Sequence, residues 1–205
     1  KAEILNDLNL KGSAYFNRSA AYAGAGNYDL ALDAMLLALY SFENTENKSE
    51  IARIKGGLGL MYVEIEEYEL AIPYFEEALQ SHRLREDVTN ITKVLHNRGY
   101  MKILLKDYAG AKEDLLSALD LIVTHDLQSN LPYLYKNLGK VESENGDPDL
   151  ALDYFDKALR ASKSLNLLHF ESVIRKELAY LQMKNGLLKQ AQESLKLSLQ
   201  VAEKF

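Results

Sequence analysis

The sequence contains no cysteine, only three prolines, and no excess of basic residues. Without cysteine, disulfide bonds, thiolate metal sites and a cysteine nucleophile are excluded. The net charge of −6 disfavours general binding to nucleic acid or to anionic lipid. No apolar run approaches the roughly 18 residues that a membrane-spanning helix needs, and no secretory signal is recognisable. A cytoplasmic and a periplasmic location both fit this composition, with the cytoplasm slightly favoured.

Alanine recurs every forty residues through the chain. The five positions are Ala31, Ala71, Ala111, Ala151 and Ala191. A leucine follows each alanine by eight residues, and a small residue precedes each by twelve. Because the spacing does not drift through five copies, each copy is predicted to be one structural unit. Units of this size usually stack into a solenoid.

One repeat is predicted to contain two helices. Within residues 52–91, apolar residues recur at three- and four-residue steps in two runs, which is typical of amphipathic helices. Glu66-Glu67 separates the two runs, and the matching turns of other repeats contain Gly26, Gly146 and Gly186. Glycine just past a helix end supplies the left-handed residue that stops a helix. The sequence therefore predicts helix–turn–helix units.

These residues resemble a known family. The pattern small-x2-Tyr-x3-Gly-Asn-Tyr-x2-Ala-x6-Ala-Leu at Ser19 to Leu39 is similar to the tetratricopeptide repeat, and residues 66–79 and 146–159 nearly repeat it. The resemblance covers residues 12–205. It implies an all-α fold, a right-handed α-solenoid of five antiparallel helix pairs whose first helices line a concave groove. The forty-residue period is similar to the subgroup found in kinesin light chains, Pins-type polarity adaptors and bacterial sensor and regulator proteins.

The later repeats depart from the family pattern. Lys102, Glu142 and Gln182 replace the tyrosine that stands at Tyr22 and Tyr62. The same fold is nevertheless expected in every copy, because the alanine, leucine and small-residue spacing continues to the last repeat.

The predicted array consists of repeats 12–51, 52–91, 92–131, 132–171 and 172–205. Residues 1–11 are interpreted as the end of a preceding, truncated repeat. Since solenoids need capped ends and Phe205 falls in a second helix without a polar cap, we expect the natural protein to continue in both directions. Uncapped apolar ends would also permit self-association. Candidate residues for such contacts are Leu165, Leu167, Leu168 and Phe170.

If first helices line a groove, the repeat spacing defines twenty inward positions. They hold five Lys or Arg residues, one His, and no Asp or Glu. Such a basic groove on an acidic body would attract an acidic segment of a protein or peptide partner. The candidate groove residues are Arg53, Lys93, His96, Tyr100, Lys136, Lys140, Lys176 and Tyr180.

A neighbouring column holds Asn17, Asn97 and Asn137 at multiples of forty. A carboxamide both donates and accepts hydrogen bonds, so it can bind an extended peptide backbone without reading its side chains. Asparagines at this position hold bound peptides in the resembling family, which implies the same clamp here. The alternative is that these asparagines make local helix contacts while the lysines solvate a face.

The leading hypothesis is a non-catalytic peptide- or protein-binding module that forms the interaction or sensory region of a larger signalling protein, of a kind known in bacteria. The alternative is a structural scaffold or oligomerisation spacer. An enzyme would need a nucleophile, a base and an oxyanion donor, and the sequence shows no such constellation.

Cofactors and metals are not expected. The four histidines share no metal-ligand spacing. The carboxylate pairs Glu76-Glu77 and Glu113-Asp114 are predicted to face outward on second helices rather than to form an acid–base pair.

Overall fold

The computed structural model describes residues 2–45 and 47–203. This part of the chain contains ten α-helices, one short 3₁₀ turn (Gln128–Asn130) and no strand. The helices are α1 (Ala2–Gly24), α2 (Tyr28–Glu43), α3 (Lys48–Glu64), α4 (Tyr68–Arg83), α5 (Val88–Leu104), α6 (Tyr108–Thr124), α7 (Leu131–Asn145), α8 (Pro148–Ser164), α9 (Leu168–Lys184) and α10 (Leu188–Ala202). The predicted all-α fold of paired helices is confirmed.

The chain divides into two compact units. Unit 1 is Lys1–Met101 and unit 2 is Lys102–Phe205, so the division falls within the last turn of α5. Unit 1 contains the pairs α1–α2 and α3–α4, together with most of α5. Unit 2 contains α6 and the pairs α7–α8 and α9–α10.

The turn within each helix pair has one left-handed residue at the same repeat position. These residues are Gly26, Glu66, Lys106, Gly146 and Gly186, with φ between 61° and 87°. The prediction of left-handed turns is confirmed, and it extends to two repeats in which the residue is not glycine. Residues other than glycine adopt this left-handed conformation only at an energetic cost. The surrounding helix pair therefore determines the turn more strongly than the conformational preference of the residue itself.

The first helix is longer than the repeat spacing predicts. Residues 2–24 form one continuous helix, α1, whereas the interpretation of residues 1–11 as the end of a preceding repeat requires a turn near Asn6. No glycine or proline interrupts residues 2–11, and Leu5 and Leu8 continue the helical apolar spacing. The helix therefore propagates through this segment without a left-handed residue.

Unit 1 is packed around small residues that face aromatic side chains. Ala31 and Ala71 are fully buried, as is Phe75 on α4. A Cβ atom at Gly59 would lie 2.6 Å from Cε1 of Phe75, so only glycine allows the α4 ring to lie directly on α3. In the first pair, the buried Ser19 hydroxyl donates a 2.7 Å hydrogen bond to the carbonyl of Ala31. These contacts explain the small-residue columns of the sequence.

The helix pair α7–α8 of unit 2 has the same arrangement of a small residue facing an aromatic ring. Ala151 and Phe155 of α8 are buried, and a Cβ atom at Gly139 of α7 would lie 2.8 Å from Cε1 of Phe155. The glycine and phenylalanine are therefore one packing device, used at the same repeat positions in both units.

The polar residues that replace tyrosine in unit 2 have partners; Glu142 and Gln182 are buried and Lys102 is half-buried. Lys102 Nζ lies 2.9 Å from Asp114 Oδ2, and Gln182 Oε1 accepts a 2.8 Å hydrogen bond from the Ser194 hydroxyl. Asp114 is only 4% exposed. The prediction that Asp114 faces outward is therefore wrong, because the helix places it opposite Lys102 instead of on the solvated face beside Glu113.

Candidate functional site

The first helices of unit 1 enclose a cavity of about 290 Å³, which we call the unit 1 cavity. Residues from α1, α3 and α5 line it, and most of them belong to the columns that the repeat spacing assigns to a groove. These are Phe16, Ala20, Ala23, Arg53, Gly56, Leu60 and Lys93, together with Asn97 of the asparagine column. Residues eighty apart in sequence are thus brought together, because each repeat presents the same face of its first helix.

Arg53 lies at the rim of this cavity with two contacts. Its guanidinium carbon is 3.7 Å from the centroid of the Phe16 ring, a close cation–π contact. Its Nε donates a 3.0 Å hydrogen bond to Glu50, three residues earlier on the same helix. The carboxylate partly neutralises Arg53, but the guanidinium plane is held in a defined orientation over the cavity.

Two glycines of α3 make the cavity possible. A Cβ atom at Gly56 would lie 3.1 Å from Cγ2 of Val94, and one at Gly57 would lie 3.0 Å from Cε of Met35. The bare backbone lets the α2 and α5 side chains approach α3 closely and leaves open space beside them. The Gly56-Gly57 pair therefore shapes a site rather than a phosphate-binding loop.

The asparagine column is not equally accessible along the chain. Asn17 is exposed on α1, and Asn97 is half-buried, with its Oδ1 3.2 Å from Nδ1 of His96. Tyr100 is half-buried one turn further along α5. Asn137 of unit 2 is only 2% exposed. Direct contact with a ligand is therefore open to Asn17 and Asn97, whereas Asn137 lies beneath its neighbours.

In unit 2 the corresponding face is formed by α7 and α9. Tyr133 packs against Phe170 with ring centroids 4.2 Å apart, and Lys136 Nζ lies 5.8 Å from the same phenylalanine ring. Burial lowers the pKa of the Lys136 ammonium; Glu177 opposes this shift and Lys140 adds to it. Because a desolvated ammonium lacks part of its hydration shell, a carboxylate ligand would be attracted to it more strongly than to a fully solvated lysine.

Acidic residues accompany this basic face. Lys140 Nζ lies 3.7 Å from Glu177, while Lys176 and Tyr180 are exposed on α9. Glu50 in unit 1 and Glu177 in unit 2 reduce the positive charge that the twenty inward positions suggest. The sequence contained both signals, since Glu50 stands three residues before Arg53 and Glu177 occupies the asparagine column.

A buried histidine beneath the unit 1 cavity is a feature that sequence reasoning missed. His82 of α4 lines the cavity, is 0% exposed, and has Nδ1 3.2 Å from Oδ2 of Asp87. Burial lowers the pKa of His82, Asp87 opposes that shift, and Arg85 reinforces it. The imidazole is therefore held neutral in the folded protein at neutral pH.

Two further observations concern the described residues as a whole. Within residues 2–45 and 47–203, none of the helices combines the length and the hydropathy that a membrane span needs. No group of three or more His, Asp or Glu side chains in residues 2–45 and 47–203 could hold a metal ion.

Solved structures share this fold. The Rap protein complexed with Competence and Sporulation Factor matches with a TM-score of 0.87 at 20% identity, over 95% of this chain and 54% of that chain. Aspartyl phosphate phosphatase F from Bacillus subtilis matches with a TM-score of 0.74 at 15% identity, over 94% of this chain and 60% of that one. BtubC from P. vanneervenii has a TM-score of 0.74 at 16% identity, over 91% and 77% of the two chains. These likenesses concern the fold, and this chain spans between 54% and 60% of the first two proteins.

Sequence comparison identifies the repeat itself. No curated protein matches the chain significantly. Two models of the tetratricopeptide repeat match residues 11–83 and 132–164, together about half of the chain, with one match in each unit. Tetratricopeptide repeats are generally non-catalytic protein-binding modules, and the helix pairs, the left-handed turns and the small-residue packing described above agree with these matches. The chain therefore belongs to the tetratricopeptide repeat family and is a protein-interaction module.

Proposed function

We propose that the first-helix faces of this module bind an extended, acidic peptide segment of a partner protein. The observation that carries this proposal is the concentration of cations on these faces. Lys93 is exposed and Arg53 half-buried at the rim of the unit 1 cavity, and Lys140 and Lys176 accompany the partly desolvated Lys136 in unit 2. A chain with a net charge of −6 that concentrates cations on its ligand-facing helices would steer acidic segments toward them.

The asparagines would add contacts that do not depend on the peptide sequence. Asn97 lies in the wall of the unit 1 cavity, where its amide can reach a peptide backbone group. Asn17 is exposed on α1 and can do the same. Asn137 is almost fully buried, so its part in the proposed clamp is to hold neighbouring side chains in place or to be uncovered when ligand binds.

We also propose that the module is the interaction or sensory region of a larger signalling protein. The Rap protein structure, which matches with a TM-score of 0.87, was solved in complex with Competence and Sporulation Factor. This chain spans 54% of that protein. The sequence that flanks residues 1–205 in its source tests this part of the proposal. Catalytic motifs, a coiled coil or a membrane segment in the flanking sequence would support it, whereas a stop codon directly after Phe205 would refute it.

A peptide array with acidic, neutral and free-carboxylate peptides tests the binding proposal. We expect acidic peptides to bind, with affinity falling as salt rises. The variants Asn97→Ala/Asn137→Ala and Lys136→Ala/Lys140→Ala should each weaken binding about tenfold. A matched control is Lys163→Ala/Lys196→Ala, which removes the same charge from exposed positions on α8 and α10 and should leave binding unchanged. Equal losses in both lysine pairs would show general charge attraction and contradict a defined site.

A structural scaffold is the second candidate, and one observation favours it. Leu199 of α10 is 64% exposed, whereas Leu39 and Leu79 at the same repeat position are 9% and 2% exposed. Leu188 and Leu195 extend this apolar surface along α10. Light scattering separates the two functions: a concentration-dependent dimer that is lost in Leu199→Glu and insensitive to the groove variants would favour the scaffold.

A further inference from the structure

Unit 1 has a second open surface, between the second helices α2 and α4, which we call the α2–α4 cleft. Its volume is about 440 Å³. Lys55 and Tyr62 of α3 form its floor, and they stand two residues after Arg53 and Leu60 of the unit 1 cavity. Since two residues advance about 200° around a helix, the cleft and the cavity lie on opposite sides of α3. The walls of the cleft are Leu39 and Glu43 of α2 with Leu70, Pro73, Tyr74 and Glu77 of α4.

Two stacked tyrosines give the cleft an aromatic surface. The ring centroids of Tyr62 and Tyr74 are 5.4 Å apart, with 13° between the ring planes. Both residues are half-buried, so part of each ring stays accessible, and the exposed Leu70 and Pro73 lie beside them on α4. The face of a tyrosine ring attracts cations as well as apolar groups.

Carboxylates lie beside these rings. Glu43 and Glu77 are both exposed, and Glu77 pairs with Lys55. No ion pair joins Glu43 to another residue of the part of the chain that the structure describes. Burial and Tyr62 raise the pKa of the Tyr74 phenol, and both carboxylates add to the rise. The cleft therefore combines an aromatic surface with a negative field.

Two features of the helix backbones strengthen this field. Glu43 is the last residue of α2, a helix without Lys or Arg, so its carboxylate lies at the negative end of the helix dipole. Pro73 lies inside α4 and has no N–H, so the carbonyl of Glu69 lacks its usual partner within the helix. Carboxylates and a carbonyl together favour a ligand that is cationic and donates hydrogen bonds.

Unit 2 holds a cation at the corresponding position. Tyr154 stands eighty residues after Tyr74, and Lys157 stands eighty residues after Glu77. Lys157 Nζ lies 5.3 Å from the centroid of the Tyr154 ring and 2.6 Å from Oδ2 of Asp153. Unit 2 thus supplies its own ammonium to this tyrosine, whereas unit 1 has a carboxylate at the same repeat position.

We propose that the α2–α4 cleft binds an arginine side chain in a basic segment of a partner protein. The guanidinium lies on the stacked rings of Tyr62 and Tyr74 and donates hydrogen bonds to Glu43. Arginine fits better than lysine because its planar group stacks on aromatic rings and donates two parallel hydrogen bonds to one carboxylate. This site is separate from the first-helix faces proposed to bind an acidic peptide, because it lies on the other side of α3.

Three fluorescent peptides test this proposal by their binding to the whole chain. They share a frame of glycine, leucine and two lysines and differ only in the central residue, which is arginine, lysine or citrulline, the neutral analogue of arginine. Fluorescence anisotropy measures the affinity. We expect the arginine peptide to bind about tenfold more tightly than the citrulline peptide, with the lysine peptide between them. The advantage of arginine over citrulline should shrink as salt rises.

Glu43→Gln should remove the advantage of arginine without changing the affinity for citrulline. A matched control is Glu193→Gln, which removes the same charge from an exposed position on α10. Tyr74→Leu should weaken binding of the arginine peptide, and Tyr74→Phe, which keeps the ring, should not. Because Glu43 is exposed, Glu43→Gln decides the question if Tyr74→Leu does not fold.

Four outcomes would overturn the proposal. These are no binding of the arginine peptide, equal affinity for arginine and citrulline, equal losses in Glu43→Gln and Glu193→Gln, and a dimer that forms without peptide and is lost in Glu43→Gln. The third outcome would show general attraction to an acidic protein, and the last, measured by light scattering, would make a second copy of this chain the occupant. Acidic peptides should bind Glu43→Gln as they bind the wild type, so failure of either binding proposal is distinguishable from failure of the other.

Discussion

Unit 1 and unit 2 fill the same repeat position with different chemistry. In unit 1 it holds Tyr22 and Tyr62, and the Tyr62 ring stacks on Tyr74 with centroids 5.4 Å apart. In unit 2 it holds Lys102, Glu142 and Gln182, and two of these pair with residues twelve further along, Asp114 and Ser194. The repeat therefore does not require an aromatic residue here. Tyr62, Lys102 and Gln182 each have a partner on the second helix of the same pair, through a stack, an ion pair or a hydrogen bond, whereas Glu142 pairs with Lys112 of α6.

The energetic consequences of the two solutions differ. An apolar or aromatic pair tolerates loss of one partner at the cost of a cavity. A buried ion pair is nearly neutral as a whole, yet it becomes strongly unfavourable when one charge is left behind. We therefore expect the stability of unit 2 to fall more than that of unit 1 when one partner of such a pair is replaced. Where both units share the glycine and phenylalanine packing, the same substitution should destabilise them equally.

The largest effect is predicted where the units are the same. Gly59→Ala in unit 1 and Gly139→Ala in unit 2 each place a Cβ atom within 2.8 Å of a phenylalanine ring, so each should lower the free energy of unfolding by about 3 kcal/mol. Urea denaturation measures this change. Gly24→Ala, in open space at the end of α1, is the control and should be neutral or slightly stabilising.

A second substitution sharpens this prediction. Ala179 and Leu195 stand at the repeat positions of Gly139 and Phe155, so Gly139→Ala/Phe155→Leu should recover much of the lost stability. An equally unstable double variant would show that the glycine is required for a reason other than the overlying ring.

The next effect should be confined to unit 2. Lys112 Nζ lies 2.8 Å from Oε1 of Glu142, whose side chain is 3% exposed, whereas the Lys112 side chain is 38% exposed. Lys112→Met leaves the buried carboxylate without its cation and should cost about 2 kcal/mol in the free energy of unfolding, less than for a fully buried pair because Lys112 is partly solvated. Lys112→Met/Glu142→Leu should restore most of the loss, and a double variant as unstable as Lys112→Met would contradict the ion-pair account.

The features that recur in every repeat could be predicted from the sequence, whereas those that occur in one repeat only could not. The turn residues, the buried alanines and the glycine column recur every forty residues, so five copies reinforce one interpretation. Asp114 faces Lys102 in one repeat only, and its burial is decided by that partner rather than by any period. The unit 1 cavity was hidden for a similar reason. It exists because Gly56 and Gly57 fail to fill space, and the residues that enclose that space come from helices forty residues apart.

A third prediction concerns the pH dependence of stability, which His82 should confer on unit 1. His82 of unit 1 is fully buried, and the corresponding residues of unit 2 are Ile122 and Ser162, which are buried as well. Burial lowers the pKa of His82 below its ordinary value of 6.5, with Asp87 opposing and Arg85 reinforcing this shift. Because the unfolded chain binds the proton more readily, the free energy of unfolding should fall as pH drops below about 6.5, until the folded pKa is reached. At neutral pH and above the histidine should contribute no pH dependence.

Thermal denaturation between pH 5 and pH 8 measures this effect. The comparison variant is His82→Ile, which adopts the residue found at the same repeat position in Ile122. It should be less sensitive to pH over the range in which His82 titrates. An unchanged profile in His82→Ile would assign the acid sensitivity to other groups.

The smallest effect tests whether the turns of the two units are equivalent. Glu66 in unit 1 and Lys106 in unit 2 adopt φ of 65° and 61°, a conformation that glycine adopts without steric cost. Glu66→Gly and Lys106→Gly should each raise the free energy of unfolding by about 0.5 kcal/mol, because relief of the left-handed strain exceeds the added flexibility of the unfolded chain. The reverse changes, Gly26→Ala and Gly146→Ala, should lower it by about 1 kcal/mol. The two units differ in the buried residues around the turn. Equal changes in the free energy of unfolding in both units would therefore show that the helix pair alone determines the turn. Stabilisation in one unit only would show that the surrounding buried residues also determine it.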